Sequence, residues 1–192
     1  MHRGLLGGTF DPPHVAHLVA AEAAYRQLGL DVVSFVPAGA PWQKAGDDIA
    51  AGEHRLAMTR LASVDVEYFE VDDRELRRDG WTYTIDTLAS FPQGERISLL
   101  LGADAARGVP SWHRAGELLA TGHFAVVPRP GVTQDEVADA FGDADFVWLD
   151  MPELDISSTD LRRRVAAGAS VRFLVPEAVR EYIDAHGLYR HH

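Results

Sequence analysis

The sequence predicts an α/β fold, in which a doubly wound, Rossmann-like parallel sheet carries helices on both faces. Short apolar runs alternate along the chain with segments that have a helical period, which is the pattern of repeated strand–helix–strand units. The runs at 97–101 and 124–127 are apolar at almost every position, as strands covered on both faces are. In such folds the ligand binds beyond the carboxyl ends of the strands.

The strands are short runs rich in Val, Ile, Leu and Phe, residues that favour a covered, pleated surface. Glycine, proline or charged residues bound most of them, so each run ends at a turn signal. The predicted strands lie at 3–7, 31–36, 66–71, 97–101, 124–127 and 146–149.

The segments between the strands have the spacing of amphipathic helices. Pro176 suits a first helical position and Gly187 is a helix stop. The predicted helices lie at 16–28, 52–63, 83–90, 115–121, 133–141, 158–167 and 176–186. From the length of 192 residues we expect a single domain over 1–192, with a small C-terminal helical part from about residue 157.

Composition and charge exclude several classes of protein. The net charge of −11 disfavours binding to nucleic acid or to an anionic membrane, and it is compatible with a homo-oligomer. The chain has no cysteine, so a disulfide framework, a thiolate zinc site and a cysteine nucleophile are excluded. No apolar run approaches the roughly 18 residues of a membrane span. We therefore expect a cytoplasmic protein.

A glycine turn follows the first predicted strand. Gly-Gly-Thr-Phe-Asp-Pro-Pro-His occupies positions 7–14, and a helix is predicted to start shortly after it. Free backbone amides at such a turn can approach an anion closely. His14 and His17 are three positions apart, so they share one helix face and suit a polyphosphate. Each feature has another interpretation when it is considered alone. The glycines could be a tight turn, and the histidines could be an incidental surface pair or two metal ligands.

A second anion site is predicted at positions 155–162, where the sequence reads Asp-Ile-Ser-Ser-Thr-Asp-Leu-Arg. Ser157 and Asp160 have the spacing of a helix capping box. The hydroxyls and free amides of that helix start can bind an anion, and Arg162 lies one turn further on. The alternative is a well-capped surface helix with a basic stripe.

These two segments resemble the signatures of the nucleotidyltransferase superfamily that carries the His-x-Gly-His motif. The first segment is similar to that of the nicotinate-nucleotide adenylyltransferases in particular, although Ala16 stands where the family usually has glycine. We expect close packing to survive this small residue. Ile-Ser-Ser-Thr-x-x-Arg resembles the superfamily's second signature, which holds the outer phosphates of ATP.

The resemblance continues through the middle of the chain in the family's order. It implies that Lys44 contacts phosphate, that Asp104 accepts from ribose hydroxyls and that Arg129 lies near the nucleotide. It also implies that Thr84 and Trp112 recognise the pyridine ring and its carboxylate. Without the resemblance, Lys44 is a solvated lysine, Asp104 a helix cap and Trp112 a core residue.

The site residues that the resemblance implies fall into three groups. The catalytic residues are His14, His17, Lys44 and Arg162. The ATP-binding residues are Gly8, Thr9, Phe10, His14, His17, Asp104, Arg129, Ser157, Ser158, Thr159 and Arg162. The residues that bind nicotinate mononucleotide are Gly7, Gly8, Thr9, Lys44, Thr84, Trp112 and His113. Arg55 resembles part of the family's helix opening and is otherwise a surface charge.

The implied reaction transfers the adenylyl group of ATP to nicotinate mononucleotide, giving deamido-NAD and pyrophosphate. A phosphate monoester has a second pKa of about 6, so the nucleophile is ionised at pH 7 and needs no strong base. Mg²⁺ would be held by the phosphates and not by protein ligands. The alternatives are another adenylyl acceptor (the corresponding amide, or phosphopantetheine), a silent nucleotide sensor, and a metal hydrolase with Asp11 as third ligand.

Overall fold

The computed structural model describes residues 1–39 and 49–190. Its strands are β1 His2–Gly8, β2 Val32–Pro37, β3 Phe69–Val71, β4 Arg96–Gly102, β5 His123–Val127 and β6 Phe146–Trp148. Its helices are α1 Val15–Leu28, α2 Gly52–Ser63, α3 Thr84–Ala89, α4 Ala103–Arg107, α5 Ala115–Thr121, α6 Gln134–Phe141, α7 Ser158–Ala166 and α8 Glu177–His186. A 3₁₀ turn, Val109–Ser111, follows α4.

The strands form one parallel sheet in the order β3-β2-β1-β4-β5-β6. The chain therefore starts in the middle, winds to one edge through β2 and β3, and then crosses to β4 on the other side of β1. This order confirms the predicted doubly wound sheet. The winding direction reverses between β1 and β4, and a crevice opens there beyond the carboxyl ends of the strands.

Neighbouring residues of the central strands face opposite layers, as the two-residue period of a strand requires. Leu5 packs into the core on the side of α3, α4 and α6, whereas Leu6 packs on the side of α1. On α1 the buried residues are the alanines Ala16, Ala20, Ala21 and Ala24. These small side chains let the helix lie close to the sheet, which brings its first turn near the end of β1.

The C-terminal helices have a hydrophobic cluster of their own. Leu161 of α7 and Val179 and Ile183 of α8 pack with Met58 of α2. The backbone N–H of Val15 also donates to the carbonyl oxygen of residue 174, at 3.0 Å. The last part of the chain is thereby brought against the turn that joins β1 to α1.

The structure differs from the predicted elements in two places. Helix α4 and the 3₁₀ turn were not predicted, because five helical residues are too few to show a period. The third strand is shorter than predicted, since residues 66–68 form a turn in which Phe69 N–H donates to the carbonyl of Val66 at 3.0 Å. Among the described helices, none is long and apolar enough to cross a membrane.

Candidate active site

A cavity of about 550 Å³ lies at the carboxyl ends of β1 and β4, where the winding direction reverses. Its size is typical of small-molecule sites. It brings together the predicted residues Gly7, Gly8, Thr9, His14, His17, Thr84, Asp104, Trp112, His113 and Arg129. Two predicted sites that lie far apart in the sequence, one for the nucleotide and one for the pyridine ring, thus share one cavity.

The turn after β1 is packed around a buried aromatic ring. Phe10 is 1% exposed and adopts a left-handed backbone conformation, with φ of 50°. A Cβ atom on Gly8 would lie 3.1 Å from the Phe10 ring, so this position has little room for a side chain. The ring of Phe10 meets the His17 ring edge-on, with centroids 5.0 Å apart. The Phe10 side chain therefore packs against His17 from the core and is not part of the cavity wall.

His14 and His17 form a stacked pair at the start of α1, with ring centroids 3.7 Å apart. The backbone N–H of His14 donates to Nδ1 of His17 at 3.2 Å. An accepting Nδ1 carries no proton, so the proton of the His17 ring is on Nε2. Both rings line the cavity, where they can donate to phosphate oxygens.

His14 is buried and electrically neutral at pH 7. Burial, together with the nearby Arg129 guanidinium, lowers the pKa of His14 to about 4. The side chain is 1% exposed, and its Nδ1 has no hydrogen-bond partner within residues 1–39 and 49–190. A buried polar atom without a partner is costly. A phosphate oxygen in the cavity would supply the missing partner.

The carboxylate of Asp11 is fully buried and is engaged by other parts of the chain. It accepts hydrogen bonds from the Tyr189 hydroxyl at 2.6 Å and from the Ala50 amide at 3.3 Å. The Arg162 guanidinium lies 3.7 Å from its second oxygen. No group of three His, Cys, Asp or Glu that could hold a metal occurs within the described residues. Asp11 is therefore not placed as the third ligand of a metal hydrolase.

The helix start at α7 is joined directly to the turn after β1. Ser157 caps α7 by accepting from the Asp160 amide at 3.1 Å, as its spacing predicts. Ser158 Oγ donates to the carbonyl of Pro12 at 2.8 Å, and Arg162 donates to the carbonyl of Asp11 at 2.9 Å. The predicted residues Ser157, Ser158, Thr159 and Arg162 thus lie beside the glycine turn and not on the wall of the cavity.

Asp104 and Arg129 face each other across the carboxyl ends of β4 and β5. Arg129 Nε lies 3.9 Å from an Asp104 carboxylate oxygen, and the guanidinium also donates to the Ile156 carbonyl at 3.4 Å. A Cβ atom on Gly102 would come within 2.6 Å of the Asp104 carboxylate, so glycine leaves the room that this side chain occupies. Both side chains line the cavity, and because Asp104 is exposed and Arg129 is partly buried, both are accessible to a nucleotide.

The far end of the cavity is built from aromatic rings and the start of α3. Tyr83 stacks on His113 with centroids 4.3 Å apart, and Trp112 packs against the core beside them. Thr84 is the first residue of α3. Tyr83 was not among the predicted site residues, although it directly precedes Thr84, which was. Flat rings beside a helix start suit an aromatic ligand that carries an anionic group.

Arg55 supports the site from behind the cavity, and the sequence analysis assigned it no role there. Its interpretation as a surface charge is wrong, because the residue is 3% exposed. Its guanidinium donates to the carbonyls of Thr9, Ala50 and Gly39 at 2.9, 3.0 and 3.4 Å. Burial lowers the pKa of this guanidinium. Arg55 thus ties the glycine turn to both ends of the segment that carries Lys44, which itself lies outside the described residues.

Comparisons with known proteins agree with this arrangement. Residues 5–164 match the cytidylyltransferase-like family model. The chain is 46% identical over 194 residues to a probable nicotinate-nucleotide adenylyltransferase of Roseiflexus sp. (strain RS-1), and 44% identical over 191 residues to one of Salinibacter ruber. Each alignment covers 97% of both proteins.

A solved structure has the same fold. The Plasmodium falciparum nicotinic acid mononucleotide adenylyltransferase complexed with NaAD matches with a TM-score of 0.84 at 18% identity. The match covers 98% of this chain and 97% of that chain. The family model and the sequence relatives show that the chain belongs to the cytidylyltransferase-like family and, within it, to the nicotinate-nucleotide adenylyltransferases.

Proposed function

We propose that the protein transfers the adenylyl group of ATP to nicotinate mononucleotide, giving deamido-NAD and pyrophosphate. One observation carries the proposal: a single cavity joins the stacked pair His14 and His17 to the ring-binding end at Thr84 and Trp112. Two mononucleotides placed end to end in that cavity would meet at their phosphates, close to the histidine pair. The relatives that match this chain over nearly its full length carry the name of this activity.

The chemistry needs positioning and charge stabilisation more than acid–base catalysis. The phosphate oxygen of nicotinate mononucleotide attacks the α-phosphorus of ATP, and the bond to the β-phosphate oxygen breaks as pyrophosphate leaves. The attacking oxygen is already ionised near pH 7. In this proposal the His17 Nε2–H donates to the α-phosphate as its charge changes, and neutral His14 donates to a neighbouring phosphate oxygen.

The departing pyrophosphate would be held at the start of α7. Ser157 and Thr159 would contribute hydroxyls there, and Arg162 would contribute a positive charge. Ser158 would contribute its backbone amide, because its hydroxyl already donates to the Pro12 carbonyl. Lys44 would add a second positive charge toward a phosphate. Arg129 and Asp104, which line the cavity beyond the histidine pair, would contact the nucleoside of ATP.

The mononucleotide would occupy the other end of the cavity. Its pyridine ring would stack near Trp112 and His113, and its carboxylate would face Thr84 and the amides that begin α3. The amides of Gly7, Gly8 and Thr9 would approach its phosphate.

Mg²⁺ fits this site only as an ion brought in by the substrate. The donors at the phosphate end are imidazoles and backbone amides, whereas Mg²⁺ prefers oxygen ligands and retains several waters. The residues that the structure describes contain no carboxylate cage for it. When bound to the phosphates, Mg²⁺ supplies neutralisation of their charge.

We also propose a cytoplasmic location and one nucleotidyltransferase domain over 1–192. The cluster that packs Leu161 and Ile183 against Met58 supports the single domain, because it joins the C-terminal helices to the rest. The net charge of −11 supports an absence of nucleic-acid and membrane partners. A homo-oligomer is compatible with that charge.

The test measures pyrophosphate release with ATP and Mg²⁺, comparing nicotinate mononucleotide with nicotinamide mononucleotide at equal concentration. We expect fast release with the acid and slow release with the amide. Comparable release with both would keep the reaction and remove the proposed selectivity of the Thr84 end. An absence of release with either, from folded protein that binds ATP, would favour another acceptor or a silent sensor.

A further inference from the structure

Tyr189 lies near the C-terminal end of the described chain, yet its hydroxyl contacts the turn before the histidine pair. The hydroxyl donates to the Asp11 carboxylate at 2.6 Å across 178 positions of sequence. Burial, and then the negative charge of Asp11, raise the pKa of Tyr189 well above its usual range. The hydroxyl therefore keeps its proton and donates it to this carboxylate.

Asp11 connects three separate segments around the cavity. Its carboxylate accepts from Tyr189 and from the amide of Ala50, and its own carbonyl accepts from Arg162 at 2.9 Å. The side chain is completely buried, so each of these contacts is made without competition from water. Asp11 also stands three positions before His14, in the turn that directs α1. Any shift of Asp11 is transmitted to that turn.

The backbone on both sides of the Tyr189–Asp11 contact is strained. Tyr189 and Phe10 have φ of 63° and 50°, in the left-handed region that large side chains rarely adopt. Such conformations persist only where the surrounding structure holds them, and they are concentrated at functional sites. Tyr189 is itself a partner in the contact and Phe10 directly precedes Asp11, so the strain indicates that the position of this contact is being maintained.

We propose that Tyr189 is a positioning residue for the adenylyl transfer proposed above. Its hydroxyl holds Asp11 so that the turn preceding α1 keeps the rings of His14 and His17 aimed into the cavity. Removal of the hydroxyl leaves Asp11 with Arg162 and the Ala50 amide as its partners. The carboxylate then moves toward the guanidinium and takes the turn with it.

The first test compares Tyr189→Phe with Tyr182→Phe. Tyr182 is a matched control, because it is also half-buried in the C-terminal part and its hydroxyl bonds to His54, at 3.0 Å, outside the cavity. We expect Tyr189→Phe to lower kcat about tenfold with an unchanged KM for nicotinate mononucleotide, because small displacements of catalytic groups are costly. Tyr182→Phe should leave both constants unchanged. Equal effects of the two substitutions would overturn the proposal.

The second test asks whether Tyr189 acts through Asp11. In a double-mutant cycle, Tyr189→Phe combined with Asp11→Asn should be about as slow as Asp11→Asn alone. Losses that multiply would show that the tyrosine acts independently, which the proposal excludes.

A third readout separates this inference from the proposed function. The ring-nitrogen NMR signals of His14 and His17 should shift in Tyr189→Phe and stay in place in Tyr182→Phe. Unshifted signals would overturn the positioning role whether or not the wild-type protein releases pyrophosphate. If the wild type is inactive but the signals shift in Tyr189→Phe, the proposed function is wrong and the positioning contact stands.

Discussion

The two ends of the cavity are held together in different ways. At the phosphate end, Ser158, Arg162 and Tyr189 all bond to residues 11–12, across separations of up to 178 positions. At the ring end the contacts are closer in sequence and nearer the surface: Tyr83 stacks on His113, and Arg114 pairs with Glu117 one turn away. The phosphate end therefore depends on the whole fold, whereas local changes can reshape the ring end.

The largest effect is expected from His17→Ala at the phosphate end. We expect kcat to fall at least about 100-fold, as it does when a donor to a developing charge is removed. Pyrophosphate release measures it. His123→Ala is the control, because His123 is the exposed first residue of β5 and the cavity lies at the opposite, carboxyl ends of the strands. An unchanged turnover in His17→Ala would remove this residue from the transition state.

Arg55→Met should destabilise the fold as well as the site. The substitution leaves three carbonyls without their donor, so we expect the free energy of unfolding to fall by roughly 2–4 kcal/mol. Urea unfolding measures it. Arg60→Met is the control on the same helix, because Arg60 is exposed and lies 3.7 Å from Asp73, an arrangement worth about 1 kcal/mol or less. Equal losses in both variants would contradict the assigned role of Arg55.

The buried His14 predicts a pH-dependent stability. Its pKa is lowered to about 4, whereas an unfolded chain binds this proton near pH 6.5. Between these values the unfolded state holds more protons, so stability falls as the pH falls. From pH 6.5 to 5 the contribution of His14 is up to about 2 kcal/mol. Urea unfolding of wild type and His14→Gln at both pH values checks it. The free energy of unfolding should fall more in the wild type than in His14→Gln, and equal falls in both would contradict the lowered pKa of His14.

The smallest effect is expected at the ring end. Trp112→Ala should raise the KM for nicotinate mononucleotide by up to about tenfold, the value of one aromatic contact, and change kcat less. Trp81→Ala is the control, because Trp81 is half exposed and lies outside the cavity wall. Steady-state kinetics of both variants give kcat and the KM for nicotinate mononucleotide. A loss in kcat as large as that of His17→Ala would show that the two ends are not independent.

The sequence analysis predicted the elements that carry strong local patterns. The apolar runs predicted every strand of the sheet, and the glycine turn and the capped start of α7 were both recognised from short motifs. Helix α4 was missed because it is too short to have a period. The run at 66–71 was predicted to be a strand throughout, so the turn at residues 66–68 was missed.

The site was predicted less completely than the fold, for a physical reason. Arg55 looks like a surface charge because its partners are backbone carbonyls, which carry no sequence signature. Tyr189 lies far along the chain from Asp11, and no local spacing connects them. Phe10 belongs to the motif, but its ring supports His17 from the core and does not line the cavity. Motifs thus indicated which residues gather at the site, and only the fold showed which of them hold it together.

The bonds from Arg55 to the carbonyls of Gly39 and Ala50 have a consequence for how the chain tolerates changes of length. One side chain fixes both ends of the intervening segment to the glycine turn. Lengthening a chain segment between fixed ends costs little free energy, because the cost grows only with the logarithm of its length. Insertions or deletions between these two anchors are therefore expected to cost little stability as long as Arg55 keeps the glycine turn in place.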